Sequence, residues 1–281
     1  MSEKVKIAFQ GEEGAYSHLA SQQIFPNADI KACSTFEEAF KLAKEDSSYR
    51  IVIPIENSLA GRVADIHYLI PKFKLQIHAE HFHKVSHNLL GIKGSKIEDI
   101  KTVRSHSQAL GQCQKIILER KLKAIVSADT AGSAKFVAKK NDKSESAIAS
   151  ELAAKIYKLK ILKSNIEDDS KNVTRFFVMG KETKQPEFKD KKYITSCIFK
   201  LKSIPAALYK ALGGFATNGV NLCKLESFAV KNTFDQVNFY IDIEGHIEAP
   251  PMQKALEELG FHTQKLDILG VYEAHQFRFK N

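Results

Sequence analysis

The sequence predicts an α/β protein with two α/β lobes followed by a C-terminal α+β module. Short apolar strands alternate with helical patterns from residue 5 onward, a charged segment interrupts them at 181–192, and the elements after it follow the order βαββαβ. At about 150 residues per domain, 281 residues correspond to roughly two domains, with three possible. The hydrophobic content of 43% excludes a chain that is disordered or collagen-like throughout.

The first lobe begins with strands and helices in strict alternation. The predicted strands are VKIAF (5–9), ADIKAC (28–33) and YRIVIPI (49–55), and the predicted helices are AYSHLASQQIF (15–25) and FEEAFKLAKE (36–45). A capping box from Ser34 to Glu37 is expected to begin the second helix. This βαβαβ order indicates a parallel sheet with crossover helices.

The second lobe resumes the same alternation after residue 96. The predicted strands are 101–106, 123–128 and 146–150, and the predicted helices are 107–120, 129–140 and 151–158. Residues 75–94 are predicted to form long strands that cross between the lobes, and TRFFVMG (174–180) is a late strand. The predicted lobes are therefore 1–77 with 160–180, and 78–159.

The charged segment 181–192 is the predicted linker to the C-terminal module. Eight of its twelve residues are charged and one is proline, a composition typical of an exposed connection. Residues 193–281 then read as strand, helix, strand, strand, helix and strand. This is the order of a ferredoxin-like module.

Composition excludes several classes of partner and location. The net charge of +9 is spread along the chain without a clustered basic footprint, so no nucleic-acid partner is expected. No apolar run reaches the ~18 residues of a membrane-spanning helix. The N-terminus lacks the apolar stretch of a signal peptide, so a cytoplasmic location without a membrane partner is expected. Cys33, Cys113, Cys197 and Cys223 are far apart, which favours reduced thiols.

Four polar segments fall where predicted strands end and helices begin, the edge at which α/β proteins collect ligands. They are GEEGAYS (11–17), PIENSLAGRV (54–63), SHSQALGQC (105–113) and NVTRFF (172–177). Each has a structural alternative when taken alone, because turns, helix caps and alternating strand faces use the same residue types.

Together the four segments resemble the prephenate dehydratase family. A fifth segment, Asp129 to Ala134, matches the helix start that this family carries, and order and spacing both fit. The resemblance covers nearly the whole chain, and the C-terminal module resembles an ACT domain. It implies a two-lobed catalytic domain at 1–180, like the type II periplasmic binding proteins, and an ACT domain at 193–281.

The resemblance implies decarboxylative dehydration of prephenate to phenylpyruvate, with prephenate as substrate and no cofactor or metal. It places catalysis on Thr174, whose hydroxyl is expected to act as a positioned hydrogen-bond donor because its pKa makes it a poor acid. The implied substrate-binding residues are Asn57, Ser58, Ser105, Gln112, Thr130, Arg175 and Phe176. Neighbouring strand residues point to opposite faces, so a structural salt bridge is the alternative for Arg175.

The ACT resemblance implies feedback inhibition by phenylalanine and assembly into a homodimer or homotetramer. The implied allosteric residues are Ala206, Leu208, Asn221, Leu222, Glu226 and Ser227. Ala206 stands where the family has glycine, and Phe228 and Ala229 stand where it has arginine and proline. These departures predict weaker phenylalanine binding, and a module kept only for dimerisation is the alternative.

Other functions remain as alternatives. Arogenate dehydratase differs from the leading hypothesis by one substrate contact, and a two-lobed ligand sensor would have the same shape without turnover. A zinc site among His78, His81, His83 and His87 is disfavoured because no acidic or cysteine partner lies at ligand spacing. A hydrolase using Ser105 and His106 is disfavoured because the chain has no GxSxG nucleophile elbow.

Overall fold

The computed structural model describes residues 5–63, 66–182, 185–229 and 236–279. These residues divide into two compact units. Unit 1 contains the described residues up to 63 together with 81–176. Unit 2 contains those among 64–80 and 177–281.

The described strands and helices follow in chain order. The strands are β1 (Lys6–Gln10), β2 (Asp29–Cys33), β3 (Tyr49–Asn57), β4 (Gly61–Arg62), β5 (Gln76–Lys84), β6 (Asn88–Gly91), β7 (Thr102–Ser105), β8 (Lys123–Val126), β9 (Glu145–Ala149), β10 (Lys160–Lys163), β11 (Val173–Gly180), β12 (Tyr193–Leu201), β13 (Leu222–Ala229), β14 (Val237–Glu244) and β15 (Thr263–Glu273). The helices are α1 (Tyr16–Ile24), α2 (Phe36–Glu45), α3 (Ile66–Phe73), α4 (Ser107–Gly111), α5 (Gln114–Glu119), α6 (Thr130–Lys140), α7 (Glu151–Ile156), α8 (Ala207–Thr217) and α9 (Pro250–His262).

The first sheet has the order β2-β1-β3-β11-β5, with β4 paired to β3. Strand β1 is parallel to β2 and β3, as the predicted βαβαβ order requires. The capping box of α2 lies one residue later than predicted. Thr35 accepts the amide N–H of Glu38, and the Glu38 carboxylate accepts the amide N–H of Ser34, because the helix begins at Phe36.

The second sheet has the order β10-β6-β9-β7-β8. Strand β7 is parallel to β8 and β9, whereas β6 is antiparallel to β9 and β10. The predicted single helix over 107–120 is wrong, because α4 and α5 are separated at Gln112 and Cys113. Helix α3 and the short strand β4 were not predicted. The strands before the linker therefore belong to two sheets.

The third sheet is antiparallel and has the order β13-β14-β12-β15. Its elements follow the chain as βαββαβ, so the predicted ferredoxin-like order is confirmed. Phe199 and Phe215 are fully buried in the core between this sheet and helices α8 and α9. Burial of such a ring contributes about 1.5–3 kcal/mol. The predicted α/β fold class is confirmed.

The described residues of the predicted linker form neither helix nor strand. Residues 183 and 184 of that linker lie outside the described residues, and its boundaries remain a prediction. Among the described residues, every helix is too short or too polar to span a bilayer.

Helix α8 begins after a residue with unusual backbone geometry. Ala206, at the N-cap, has φ 57° and ψ 29°, the left-handed conformation. Steric contact between Cβ and the backbone makes this conformation costly for alanine, while glycine adopts it freely. The position where the family pattern has glycine is therefore one where glycine would relieve strain.

We expect Ala206→Gly to raise the free energy of unfolding by about 0.5–1 kcal/mol. Relief of left-handed strain gains about 1–2 kcal/mol, and the extra chain entropy of glycine offsets about 0.5–1 kcal/mol of it. Urea unfolding followed by circular dichroism measures the change. Ala207→Gly is the matched control: at the first position of α8 it should destabilise the protein, as glycine does in helices. Equal destabilisation by both substitutions would contradict the strain argument.

Candidate functional site

The candidate site is built around the end of strand β3, where Asn57 lies. The side-chain oxygen Oδ1 of Asn57 accepts the backbone N–H groups of Leu59 at 3.0 Å and Ala60 at 2.9 Å. Both donors are backbone amides and cannot act as acceptors. The orientation of the Asn57 amide is therefore fixed, with its NH₂ group directed away from the turn.

The NH₂ group of Asn57 donates to two side chains at the start of strand β11. Nδ2 lies 2.7 Å from Oδ1 of Asn172 and 3.0 Å from Oγ1 of Thr174. Thr174 is thus a hydrogen-bond acceptor towards Asn57. In the part of the chain that the structure describes, no protein acceptor takes the Thr174 hydroxyl proton. That proton is available to a ligand.

Ser58 joins the same turn to β11 through backbone contacts. Its hydroxyl donates to the carbonyl of Lys171 at 3.0 Å and accepts the N–H of Val173 at 2.9 Å. The Ser58 N–H donates to the Val173 carbonyl at 2.8 Å. These three bonds hold the PIENS turn against the start of β11, so Ser58 positions Asn57 and Thr174 relative to each other.

Gln112 reaches the site because the helix of the third motif is broken. The Asp168 carboxylate accepts the N–H groups of Gln114 at 2.8 Å and Lys115 at 3.1 Å, and so caps the start of α5. The backbone N–H of Asp168 donates to the carbonyl of Gln112 at 2.7 Å. The loop before β11 therefore bonds backbone groups that a continuous helix through Gln112 would use within itself.

The side chain of Gln112 joins the Asn57 network. Its Oε1 accepts from Nδ2 of the fully buried Asn172 at 2.8 Å and lies 2.9 Å from Nε2 of His87. Nδ1 of His87 lies 2.8 Å from the hydroxyl of Tyr16. A continuous chain of side-chain contacts thus runs from Tyr16 to Thr174.

The structure places the remaining predicted substrate residues elsewhere. Ser105 is fully buried and donates to the carbonyl of Ile148 at 2.7 Å. Arg175 is buried and pairs with Glu56 at 3.1 Å, while Phe176 is buried in the core. Thr130 is half-buried at the start of α6. Ser105 and Arg175 are therefore engaged within the fold, by Ile148 and Glu56.

The two histidine alternatives have different local explanations. His106 accepts the N–H of Gln108 as the cap of α4, and the Ser105 hydroxyl is engaged with Ile148, so they form no dyad. His81 and His83 both contact Oε1 of Gln23, at 3.2 and 3.0 Å. Burial lowers the pKa of His83 to about 4. Among the described residues, no group of three or more His, Cys, Asp or Glu side chains is arranged to hold a metal.

Sequence reasoning missed Tyr16, His87 and Asn172 as members of this network. Tyr16 lies in the first motif and Asn172 opens the fourth, so their positions carried a signal.

The loop of the first motif packs tightly at Gly14: a Cβ on this residue, whose φ is +89°, would lie 2.7 Å from Cα of Ala153. The backbone N–H of Gly14 donates to Nδ1 of His18, so this amide is not directed at an anion.

Unit 2 contains the predicted allosteric residues. Leu208 and Leu222 pack against the core of the third sheet, whereas Ala206, Asn221 and Ser227 are exposed. Leu225 and Tyr209 are large apolar side chains exposed on the same elements, β13 and α8.

Glu226 on β13 is engaged by a histidine and a lysine of its own chain. Its carboxylate lies 3.1 Å from Nε2 of the fully buried His67 and 2.9 Å from Nζ of Lys224. Burial alone would raise the pKa of Glu226, but the interactions with His67 and Lys224 outweigh it and lower this pKa to about 2. The His67 ring also contacts Phe228 and Tyr240.

Comparisons with known proteins agree on one family. A family model described as prephenate dehydratase matches residues 7–184. A bifunctional N-acyl-homoserine lactone acylase/prephenate dehydratase of Komagataeibacter europaeus is 43% identical over 98% of each chain. Arogenate dehydratase/prephenate dehydratase 1 of Arabidopsis thaliana is 39% identical, over 96% of this chain and 72% of the relative.

Solved structures resemble the chain over nearly its full length. A quorum-quenching acylase, GqqA, has a TM-score of 0.91 at 43% identity, covering 97% of this chain and 99% of that one. A prephenate dehydratase of Arthrobacter aurescens in complex with L-Phe has a TM-score of 0.89 at 27% identity, covering 96% of this chain and 90% of that one.

The Glu226 pair predicts a specific acid sensitivity. The folded pKa of Glu226, about 2, lies below its ordinary value of 4.5. The stabilisation that ionised Glu226 gives the folded protein is therefore complete above about pH 4.5 and is lost as the pH falls towards 2. We expect the difference in urea midpoint between the wild type and Glu226→Gln to shrink from pH 6 to pH 3. Glu257→Gln, at an exposed position on α9, is the control and should show no such narrowing. A constant difference for Glu226→Gln would contradict the assignment.

Proposed function

Because the chain belongs to the prephenate dehydratase family, we propose that it converts prephenate to phenylpyruvate by decarboxylative dehydration. The observation that carries this proposal is the geometry of Thr174. Its hydroxyl accepts from Asn57 and retains its own proton for a ligand. A hydrogen-bond donor fixed in this way suits a departing hydroxyl group, on which negative charge develops.

The reaction balances with one proton and no electron acceptor. The bond between the ring and its carboxylate breaks to release CO₂, and the electron pair moves into the ring. The ring carbon–oxygen bond breaks, and the departing hydroxyl takes a proton to leave as water. Since aromatisation drives these steps, the proposed reaction uses no cofactor. Thr174 donates a hydrogen bond to the departing oxygen, and Asn57 holds Thr174 in place.

The NH₂ group of Gln112 is the second donor proposed for the substrate, which is a dianion. Its Oε1 is occupied by Asn172 and His87, so the amide nitrogen is the end left for a ligand. Ser58 is proposed to position this site through its backbone bonds. Ser105, Arg175 and Phe176 are buried and support the site from within the fold rather than by direct contact.

Turnover of prephenate and arogenate by purified protein, compared side by side, tests this proposal. Formation of phenylpyruvate from prephenate is the expected result. A strong preference for arogenate would assign the alternative substrate, in which an amino group replaces the keto oxygen of the side chain. Failure to convert either compound would overturn the proposed function and favour a ligand sensor.

We expect Thr174→Val to lower kcat by ~10² or more, the scale of losing one positioned donor. Valine keeps the branched shape and suits a strand, so the fold should survive. Steady-state kinetics with prephenate measures the change. Thr174→Ser is the matched control, since it keeps the hydroxyl and should retain far more activity. A Thr174→Val variant with nearly full kcat would show that this hydroxyl is not the donor.

The relative in Komagataeibacter europaeus suggests a second candidate activity, because its name includes an N-acyl-homoserine lactone acylase. Amide hydrolysis needs an activated nucleophile. Ser105 and His106 do not form a dyad, so this activity would require another group. Release of the free fatty acid from an N-acyl-homoserine lactone by the purified chain would support it. Absence of release under conditions in which prephenate is consumed would exclude it.

For regulation, we propose that phenylalanine binds the C-terminal module within a homodimer or homotetramer. The proposed site includes Ala206, Leu208, Asn221, Leu222, Glu226 and Ser227. Because His67 and Lys224 already engage Glu226, the ammonium group of phenylalanine must share or displace these partners. Weak binding follows from this competition.

We propose a cytoplasmic location, which is consistent with four free cysteines.

Isothermal calorimetry with phenylalanine should show weak binding that Ala206→Gly tightens by about tenfold to a hundredfold. This range corresponds to the ~1–3 kcal/mol that one extra methyl group commonly costs in a tight site. The uninhibited kcat should stay close to that of the wild type. Absence of binding to either protein would leave the module a dimerisation element.

A further inference from the structure

The side-chain network of unit 1 extends beyond the groups that the proposed reaction uses. It continues from Gln112 to His87, and from His87 to Tyr16, whose hydroxyl also donates to the carbonyl of Ser86 at 2.8 Å. His87 has an exposed fraction of only 2%. A buried imidazole with both ring nitrogens engaged has a defined protonation pattern.

The direction of each hydrogen bond from Asn57 to His87 follows from the turn after β3, in which Leu59 and Ala60 donate to Asn57. Backbone amides occupy Oδ1 of Asn57, so its Nδ2 donates to Oδ1 of Asn172. Nδ2 of Asn172 must then face Oε1 of Gln112 and donate to it. An acceptor at Oε1 of Gln112 requires a donor on His87, so Nε2 of His87 carries a proton.

The Tyr16 hydroxyl lies beside the other ring nitrogen, Nδ1. Burial lowers the pKa of His87, although the bond to Gln112 and the charge of Glu167 raise it in part. The Tyr16 hydroxyl donates its single proton to the carbonyl of Ser86 at 2.8 Å, and its oxygen lies 2.8 Å from Nδ1 of His87. Burial and the nearby Cys113 and Glu167 raise the pKa of Tyr16, so this hydroxyl keeps its proton at neutral pH.

We propose that His87 is a positioning residue: its Nε2–H, together with Nδ2 of Asn172, holds the amide of Gln112 so that the NH₂ group faces the substrate. The functional part of this inference rests on the proposed dehydratase activity. The opposite amide orientation would present an oxygen atom to a dianionic substrate. A proton on Nε2 of His87 therefore supports the orientation in which the site offers a donor at this point.

The His87 backbone strengthens this placement. Its N–H donates to the Glu167 carboxylate at 2.9 Å, and the next residue, Asp168, caps the start of α5 through its side chain. The loop that breaks the helix at Gln112 thus also holds the residue that orients the Gln112 side chain. The ring and the amide are positioned by one segment.

The tautomer is tested directly by long-range ¹H–¹⁵N NMR of the full-length protein. Signals of His87 are identified as those lost in His87→Phe. We expect a pattern in which Nε2 carries a proton near pH 7.5, and the same pattern in Tyr16→Phe, because Gln112 and not Tyr16 faces Nε2. A ring protonated at Nδ1 alone in the wild type would overturn the proposal. This measurement does not depend on turnover.

Kinetics test the positioning role. We expect His87→Phe to lower kcat/KM for prephenate by about tenfold, the change that corresponds to loss of one hydrogen bond. His87→Gln, which restores a side-chain N–H donor, should recover most of the loss. In the background of Gln112→Ala, His87→Phe should cause no further loss, because His87 acts through Gln112. Independent, multiplicative losses would contradict the proposal.

His83→Phe is the matched control. His83 is also buried and lies beside Tyr16, with ring centroids 6.1 Å apart, but it bonds Gln23 and not the amide network. It should leave kcat/KM near the wild-type value. Urea unfolding of each variant separates loss of fold from loss of positioning. If the wild-type protein converts neither prephenate nor arogenate, the proposed function fails, while the NMR result still decides the tautomer.

Discussion

The two backbone hydrogen bonds to Oδ1 of Asn57 are the constraint on which the candidate site depends. An asparagine amide normally has two orientations that differ only in which end donates. Here the turn after β3 supplies two donors to one end, so the other end must donate. This single choice sets Thr174 as an acceptor towards the protein and, through Asn172, sets Gln112 as an acceptor towards His87. The neutral amides and hydroxyl of the site thereby acquire a defined polarity.

Such polarity matters for a substrate that carries two carboxylates. Neutral donors held in place stabilise charge that moves during the reaction, and they require no reorganisation at that moment. The one cationic side chain that the motifs suggested, Arg175, is instead buried against Glu56, where it supports the end of β3. The proposed site therefore offers neutral hydrogen-bonding groups to the substrate, and the Arg175–Glu56 pair stays within the fold.

Unit 2 shows how a family motif changes its local chemistry when neighbours differ. Phe228, in place of arginine, contacts His67, and the imidazole of His67 pairs with Glu226. Ala206, which stands where the ACT resemblance has glycine, has a left-handed backbone. The carboxylate of Glu226 is engaged within the chain. This engagement and the added methyl group of Ala206 are the physical basis for the weak effector binding that we propose.

Sequence alone determined the order of strands and helices and the segments that contribute to the site. Alternating apolar patterns and turn residues are local, so β1 to β3, the motif strand β11 and the βαββαβ module could be predicted within a few residues. Local patterns do not show which hydrogen-bonding groups a distant segment supplies. The break at Gln112 depends on Asp168, and the burial of Ser105 and Arg175 depends on Ile148 and Glu56, contacts that join segments far apart in the chain. Tertiary structure alone decided which motif residues meet and, because each amide has two possible orientations, which atom of each one donates.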